Sequence, residues 1–417
     1  MNRPSSRWLA RAGERVASMA ALCLAVSGLL TLSACSGGGG GAAPAKTTSS
    51  AQAVTLAGPL SGTAGALQFN QQPLLTTGAA VTLNGRPATA AMLQPGVVMR
   101  AKGTRSGPGV SLSSVDMITE LKGPIAALDV AGATLRVLDT VVTVNALTRL
   151  EQDGADHHFT PLSLADFAVG DLVSVFGSPQ AGGGVLATRI ERESPDASGE
   201  VELRGPLSTL DPAGRTFLLG AYLVTYGSAT VAGTLAEGAV VEVEGILSGN
   251  TLAASRVRVE DALEHGDEGE VEASGALANL DATAKTFTLS ALKVDYSGAT
   301  VEGTLAEGAT VEAEGKLSAT DPTLLIATRV EVRFPHLGNG ASDDEAEGSI
   351  TALSGTDLTV TVGATVFWTD AQTLILSHDA SIPFADLKPG DRVEIRALSS
   401  RTNAAGQAYA ARIEKRP

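Results

Sequence analysis

Cysteine, aromatic residues and positive charge are all scarce in this chain of 417 residues. It contains 2 Cys and 4% aromatic residues, and 30 Lys and Arg face 45 Asp and Glu, which gives a net charge of −15. Few aromatics and 47 Gly argue against one large core and favour several small β units. The negative charge argues against nucleic acid as a partner, because binding phosphates requires clustered basic residues.

The start of the chain has the composition of a targeting segment. Four arginines precede an apolar run from Met19 to Leu32, which is shorter than the ~20 residues that a membrane-spanning helix needs. The run ends in Leu32-Ser33-Ala34-Cys35, and a low-complexity stretch begins at Ser36. This segment resembles a bacterial lipoprotein signal with its lipobox. An ordinary cleaved signal or an uncleaved membrane anchor are the alternatives.

The resemblance implies that residues 1–34 are a signal peptide and that Cys35 carries a diacylglyceryl group, with acylation of the new N-terminus, palmitate being typical. The membrane would then be a partner through this lipid, and Ser36 after the cysteine implies sorting to the outer membrane. Cys23 would leave with the signal, so no thiol would remain for a disulfide, a nucleophile or a zinc site. Residues 35–53 are predicted to form a flexible tether of Gly, Ala, Ser and Thr.

The rest of the chain is repetitive. Residues 231–245 read VAGTLAEGAVVEVEG and residues 301–315 read VEGTLAEGATVEAEG, and they belong to a pattern that occurs five times. Each repeat opens at a glycine: Gly58, Gly123, Gly205, Gly275 and Gly348. A second glycine marks a later turn: Gly96, Gly170, Gly238, Gly308 and Gly390.

Apolar and charged residues alternate after each turn glycine. Val241 and Val243 alternate with Glu242 and Glu244, a period of two that predicts a strand with one buried face and one face in water. The seventh position after the turn is always Gly or Ala, which predicts a bulge or a close approach of backbone. Before the turn, Thr234 to Gly238 has the spacing of a capping box on a short helical turn.

Five short strands per repeat, with a turn between the third and fourth, are typical of an OB-type barrel. The sequence therefore predicts an all-β protein of five tandem, small, five-stranded OB-like barrels. The predicted boundaries are 54–119 for a divergent first repeat, 120–194, 199–261, 268–333 and 344–417.

Two segments, residues 167–175 (FAVGDLVSV) and 384–395 (FADLKPGDRVEI), carry a resemblance to a known family. Together with the closing Ala-x-Arg-Ile-Glu strands of the same repeats and the lipobox, they resemble bacterial lipoproteins of the domain of unknown function 5666. The family brings no established activity, so the resemblance implies no catalytic residue and no cofactor.

The histidines provide no enzyme motif. His157, His158, His265, His336 and His378 lie outside any metal-ligand or nucleophile signature. Asp153, Asp156, His157 and His158 could ligate a metal from one loop, but a solvated loop is the simpler interpretation, so no metal is predicted. A metal-dependent hydrolase would require His157 and His158 to converge with acids from a distant segment.

Two acidic tracts lie between repeats, at 260–272 and 343–347. Carboxylates are ligands for Ca²⁺, but the spacing matches no EF-hand loop. We therefore predict solvated linkers that keep neighbouring barrels apart.

Three aromatic residues, Tyr226, Tyr296 and Trp368, recur just after the third strand, where OB-type barrels often bind ligands. They are the candidate ligand-binding residues, and packing in the core or at the rim is the alternative. The sequence as a whole predicts a non-enzymatic lipoprotein of the outer membrane, on its periplasmic face or at the cell surface. Such a protein would act by binding or spacing, with an envelope protein or glycan as possible partner.

Overall fold

The computed structural model describes residues 51–145, 147–154, 157–194, 199–260, 269–289, 292–303, 305–321, 323–333, 343–369, 373–377, 380–403 and 405–416. The signal peptide, Cys35 and most of the predicted tether lie outside these residues, as do Asp156, His265, His336 and His378. None of the described residues forms a helix long and apolar enough to cross a membrane. Residues Ser49–Pro417 form one compact unit of the chain.

Strands dominate the compact unit, and the first two repeats contain fifteen of them. Barrel 1 contains β1 (Gln52–Pro59), β2 (Ser61–Thr63), β3 (Ala66–Phe69), β4 (Gln72–Leu75), β5 (Ala80–Leu83), β6 (Arg86–Pro87), β7 (Val98–Ser106) and β8 (Gly109–Met117). Barrel 2 contains β9 (Leu121–Asp129), β10 (Thr134–Val137), β11 (Thr140–Thr143), β12 (Arg149–Asp153), β13 (Phe159–Pro161), β14 (Leu172–Pro179) and β15 (Val185–Arg192).

The remaining three repeats contain six, six and seven strands. Barrel 3 contains β16 (Glu200–Asp211), β17 (Thr216–Leu219), β18 (Tyr222–Thr225), β19 (Thr230–Ala232), β20 (Val240–Ser248) and β21 (Thr251–Val259). Barrel 4 contains β22 (Glu270–Asp281), β23 (Thr286–Leu289), β24 (Leu292–Asp295), β25 (Thr300–Glu302), β26 (Thr310–Leu317) and β27 (Leu324–Val332). Barrel 5 contains β28 (Asp343–Ser354), β29 (Thr359–Val362), β30 (Thr365–Trp368), β31 (Leu374–Ser377), β32 (Ala380–Ser381), β33 (Arg392–Thr402) and β34 (Ala408–Lys415).

Each repeat closes a five-stranded barrel in the order expected of an OB-type fold. In barrel 3, β16 pairs with β17, β17 with β18, β18 with β21 in parallel, β21 with β20, and β20 returns to β16. Equivalent pairings close the other four, although in barrel 1 the first strand is interrupted at Leu60 to give β1 and β2. The prediction of an all-β chain of five small barrels is confirmed.

The alternating pattern places aliphatic side chains inside the barrels, as predicted. Val241, Val243, Val311 and Val393 are fully buried in the cores. The glycine at the seventh position is also explained, because the pairing of β20 with β21 shifts register between Glu244 and Gly245. A Cβ atom at Gly245 would overlap the backbone carbonyl of the facing strand, so the predicted bulge and close approach are both confirmed.

The repeated phrase TLAEG has a different role from the predicted helical turn. Residues 234–236 form no helix, and short 3-10 turns occupy this place in barrels 1, 2 and 5, at Ala90–Met92, Leu164–Asp166 and Phe384–Asp386. The capping-box prediction was therefore wrong for barrel 3. The Glu237 carboxylate instead accepts hydrogen bonds from the backbone N–H groups of Thr209 and Leu210, with N···O distances of 3.1 and 2.5 Å. Thr209 has a φ of 53°, so the carboxylate holds an irregularity of the first strand.

Replacing Glu237 with alanine should lower the free energy of unfolding by about 1–3 kcal/mol, because two backbone donors would lose a charged acceptor. Glu307 makes the same two contacts in barrel 4, with Asn279 and Leu280, so Glu307→Ala is a matched replicate. Urea denaturation of the full chain measures both. A loss below ~0.5 kcal/mol for both variants would show that water replaces the carboxylate at no cost.

Strand pairing also joins the barrels in two couples. β9 of barrel 2 pairs antiparallel with β16 of barrel 3. β1 of barrel 1 pairs in parallel with β22 of barrel 4, so that Val54 lies opposite Glu270. The first four barrels thus form two continuous sheets, and the described strands of barrel 5 form a sheet of their own.

Candidate functional site: a charged junction between barrels 1, 2 and 3

The junction starts where β9 and β16 pair. Leu121 lies opposite Leu203, and Lys122 lies opposite Glu202. On the other side of the two leucines, Arg204 donates from Nη1 to Oε1 of Glu120 at 2.9 Å. Each chain segment therefore has one acidic and one basic residue on either side of a leucine, and acidic and basic residues lie opposite each other.

Arg204 is the centre of a buried ion network. Its Nε and Nη2 donate to the two carboxylate oxygens of Glu260 at 2.8 and 2.7 Å, which is the bidentate geometry of the strongest ion pairs. Arg100 of barrel 1 adds a third contact, from Nη2 to Oε2 of Glu260 at 2.8 Å. The side chains of Arg204 and Glu260 are 4% and 3% exposed. A cavity of about 10 Å³ beside Arg100, Glu120 and Arg204 has room for one water molecule at most.

Burial raises the pKa of these carboxyl groups, and the neighbouring arginines lower it. Burial alone would raise the pKa of Glu260, but Arg204 and Arg100 hold it at about 2. Burial dominates at Glu120, whose pKa is raised despite the contact with Arg204. Burial also lowers the pKa of Arg100, against the attraction of Glu260. The network is therefore stable only while the arginines remain in place.

Three carboxylates form the second half of the junction. Glu202, Glu242 and Glu244 have oxygens within 4.8 Å of one another. Glu202 accepts hydrogen bonds from two neutral donors of barrel 1, the Asn84 amide and the Thr119 hydroxyl. Burial, and then the charge of Glu242, raise the pKa of Glu202 to about 8.

Arginines neutralise the other two carboxylates. Arg256 donates from Nη1 to Glu244 at 2.8 Å and to Glu242 at 3.2 Å. Arg258 donates to Glu242 at 2.5 Å, and Arg86 of barrel 1 forms an ion pair with Glu244. Carboxylate oxygens are ligands for Ca²⁺, but these arginines already occupy the oxygens that a cation would use.

Barrels 1 and 4 meet at a second charged junction. Arg105 forms ion pairs with Glu272 and with Glu270, the latter at 3.5 Å. Gln72 donates to Glu272 at 3.4 Å. Glu272 stands three residues before Gly275, as Glu202 stands before Gly205, so the same position of the repeat meets a neighbouring barrel twice.

The burial of these charges corrects the prediction that they face water. Glu242, Glu244, Glu272 and Glu312 are all buried. Glu260, predicted to belong to a solvated linker, is buried as well. The reason is that the outward face of one barrel packs on its neighbour and that arginines pair with the acids. Most of these arginines belong to the same barrel, and the neighbour adds Arg86 and Arg105. Arginines facing glutamates across β20 and β21 are the one signal of this in the sequence.

The three predicted ligand-binding aromatics lie in three different barrels. Tyr226 packs on Phe217 with ring centroids 5.6 Å apart, and the buried Tyr296 packs on Phe287 at 5.5 Å. Trp368 is partly buried and packs on Tyr409 at 4.8 Å. Each ring thus contacts an aromatic ring of its own barrel, and a ligand-binding role for the three remains a prediction.

The predicted loop around His157 holds a local contact. His157 Nδ1 lies 3.2 Å from Oδ2 of Asp153, and the imidazole stacks on Phe159. In the part of the chain that the structure describes, neither His157 nor His158 joins a group of three potential metal ligands. The hydrolase alternative therefore gains no support from this loop.

Comparison with known proteins identifies the repeats. The profile of a domain of unknown function, DUF5666, matches residues 122–191, 204–258, 268–331 and 347–414. No curated protein matches the chain. Among solved structures, a multidomain protein with nucleic acid binding domains from Streptococcus pneumoniae TIGR4 is 8% identical over 52% of this chain and 73% of that one, with a TM-score of 0.16. A likeness this weak carries no argument.

Proposed function

Because this chain belongs to the family of domain of unknown function 5666, which brings no established activity, we propose that it is a lipid-anchored, non-enzymatic binding or spacer protein of the bacterial envelope. The observation that carries the proposal is the way the first four barrels are joined. Paired strands and the buried network around Arg204 and Glu260 connect them, and these charges are engaged with each other. Such an arrangement holds binding surfaces at fixed distances.

The anchor is part of the proposal. Cys35 is the residue that would carry the lipid, and Ser36 favours the outer membrane as the destination. The acidic surface and the tether are consistent with a folded part that stays clear of the lipid headgroups.

Replacing Cys35 with alanine should move the protein from the membrane fraction to the soluble fraction of the envelope. A single thiol is proposed to carry the lipid, and several acyl chains are needed for stable anchoring. The measurement is fractionation of cells that express the full chain, together with incorporation of labelled palmitate. Cys23→Ala is the matched control and should leave both results unchanged if the signal peptide is removed. Membrane retention of Cys35→Ala would contradict the anchor.

The binding role needs a separate experiment. The full chain, solubilised in detergent, is used to capture partners from solubilised envelopes and is applied to a glycan array. We expect recovery of an envelope protein or glycan without chemical change. Release of a cleaved or modified product from any envelope polymer would contradict the non-enzymatic proposal.

A further inference from the structure

The first strands of barrels 1 to 4 all use an outer edge to join another barrel. β1 pairs with β22, and β9 pairs with β16. Barrel 5 differs, because among the described strands β28 pairs only with β29 and β33 of its own barrel. At residues 345–347, one edge of β28 pairs with β33. The other edge occupies the position that pairs with a neighbouring barrel in barrels 1 to 4.

The two established junctions show what kind of neighbour this position takes. An acidic residue three positions before the opening glycine meets a basic residue of a neighbouring barrel, since Glu202 lies opposite Lys122 and Glu272 pairs with Arg105. The residue directly before the glycine takes part too, because Arg204 binds Glu120. In each case the neighbouring barrel supplies a basic residue for an acidic one, or an acidic residue for a basic one.

Barrel 5 carries acids at both of these positions. Glu345 is the equivalent of Glu202, and Glu347 is the equivalent of Arg204, with Ala346 between them where β16 has Leu203. A second copy of barrel 5, paired as β9 pairs with β16, would place Glu345 opposite Glu347. Like charges directly opposite each other destabilise a strand pair, so the edge is complementary to a basic strand rather than to itself.

Glu345 and Glu347 already form ion pairs with arginines of barrel 5, but these ion pairs compete only weakly with the basic residues of an added strand. Glu345 lies 3.1 Å from Arg396, and Glu347 lies 2.8 Å from Arg392. The two carboxylate side chains are 51% and 57% exposed. Exposed ion pairs contribute little to stability, so a basic strand can share or replace these arginines at small cost.

We propose that the edge of β28 binds an extended segment of another protein that has Lys or Arg on both sides of an aliphatic residue. The segment would add an antiparallel strand, with its bases facing Glu345 and Glu347 and its aliphatic side chain against Ala346. Main-chain hydrogen bonds give such strand addition its affinity, and the alternating side chains give it specificity. This inference rests on the proposed binding role and names the surface that performs it.

The test uses the full chain and a labelled, N-acetylated peptide of sequence Thr-Val-Lys-Leu-Lys-Val-Thr. Fluorescence anisotropy should show saturable binding, and the peptide with Glu in place of both Lys should bind at least about ten times more weakly, because opposite-charge pairs become like-charge pairs. The double variant Glu345→Lys with Glu347→Lys should reverse this preference. Asp139→Lys with Glu302→Lys makes the same change of net charge elsewhere and should leave it unchanged.

A backbone control separates strand addition from charge attraction alone. Methylation of alternate peptide nitrogens gives two versions of the basic peptide. One should fail to bind and the other should bind normally, because only every second N–H of a strand faces a given neighbour. Hydrogen exchange should slow at residues 344–347 when the unmodified peptide is present.

Three outcomes would overturn the proposal. They are no binding of the basic peptide, equal binding of both methylated versions, and self-association of the chain that Glu345→Lys with Glu347→Lys abolishes. The last would make a second copy the occupant. None of them affects the fractionation of Cys35→Ala, so failure of this inference is distinguishable from failure of the proposed anchor.

Discussion

Replacement of Arg204 with alanine should lower the free energy of unfolding by about 3–5 kcal/mol, the usual cost of removing one partner from a buried ion pair. Arg204 binds both oxygens of Glu260 and contacts Glu120, and all three side chains are at most 5% exposed. Without it, Glu120 would lose its ion pair, and Glu260 would keep only Arg100 and Arg258, the latter at 3.5 Å. Urea denaturation of the full chain at neutral pH is the measurement, and the transition that includes barrels 2 and 3 should move to lower urea.

Arg329 provides the matched control. It forms ion pairs with Glu302, Glu314 and Glu331, but its side chain is 34% exposed. Exposed pairs contribute at most ~1 kcal/mol, so Arg329→Ala should shift the transition by no more than that. Equal losses for the two arginine variants would show that water reaches Arg204 and that the junction is not a dry contact.

The free energy of unfolding of the native chain should fall as the pH rises, and replacement of Glu202 with glutamine should remove much of that fall. Folding raises the pKa of Glu202 from 4.5 to about 8, so the folded chain keeps a proton that the unfolded chain has lost. The contribution of Glu202 to the free energy of unfolding is fully present below pH ~4.5 and is lost as the pH rises through about 8. At pH ~9 the glutamine variant should be more stable than the native chain by roughly 3 kcal/mol, allowing for partial exposure. At pH ~5 the two should be nearly equal.

Other carboxyl groups define the background of this experiment. Glu191 has a pKa raised to about 7, chiefly by burial, so a smaller loss of stability in the same direction should persist in the variant. Glu260 acts in the opposite sense, because its stabilising contribution is lost as the pH falls through about 2. Glu302→Gln is the control, since its exposed carboxyl group has a lowered pKa. Identical pH profiles for native chain and Glu202→Gln would contradict the assignment.

The fold was predictable because each barrel is specified locally. Alternating Val241 and Val243, turn glycines at fixed spacing and a small residue at the bulge are features of one repeat, and five copies reinforce one another. The role of Glu237 was missed because a capping box and a carboxylate that holds a strand irregularity require similar residues. Only the position of Thr209, far away in sequence, distinguishes the two.

The junction could not be predicted in the same way. A strand with Glu242 and Glu244 on its outward face reads as a strand in water, and it becomes an interface only because Arg256, Arg258 and a neighbouring barrel cover it. The prediction that Glu260 belongs to a solvated linker was wrong because it considered only the order of the barrels along the chain. Glu260 follows the last strand of barrel 3, but its partners Arg204 and Arg100 come from residues 56 and 160 positions away.

The pairing of β1 with β22 sets the order in which the fold can be completed. Barrels 2 and 3 are consecutive, so their shared sheet can form as soon as both are free to fold. Barrel 1 comes first in the chain, but the outer edge of β1 is covered only when residues 270–273 are in place. Until then it exposes unpaired backbone groups, which are a template for aggregation. A folding intermediate in which barrel 4 is still unfolded is therefore the species most in need of a chaperone.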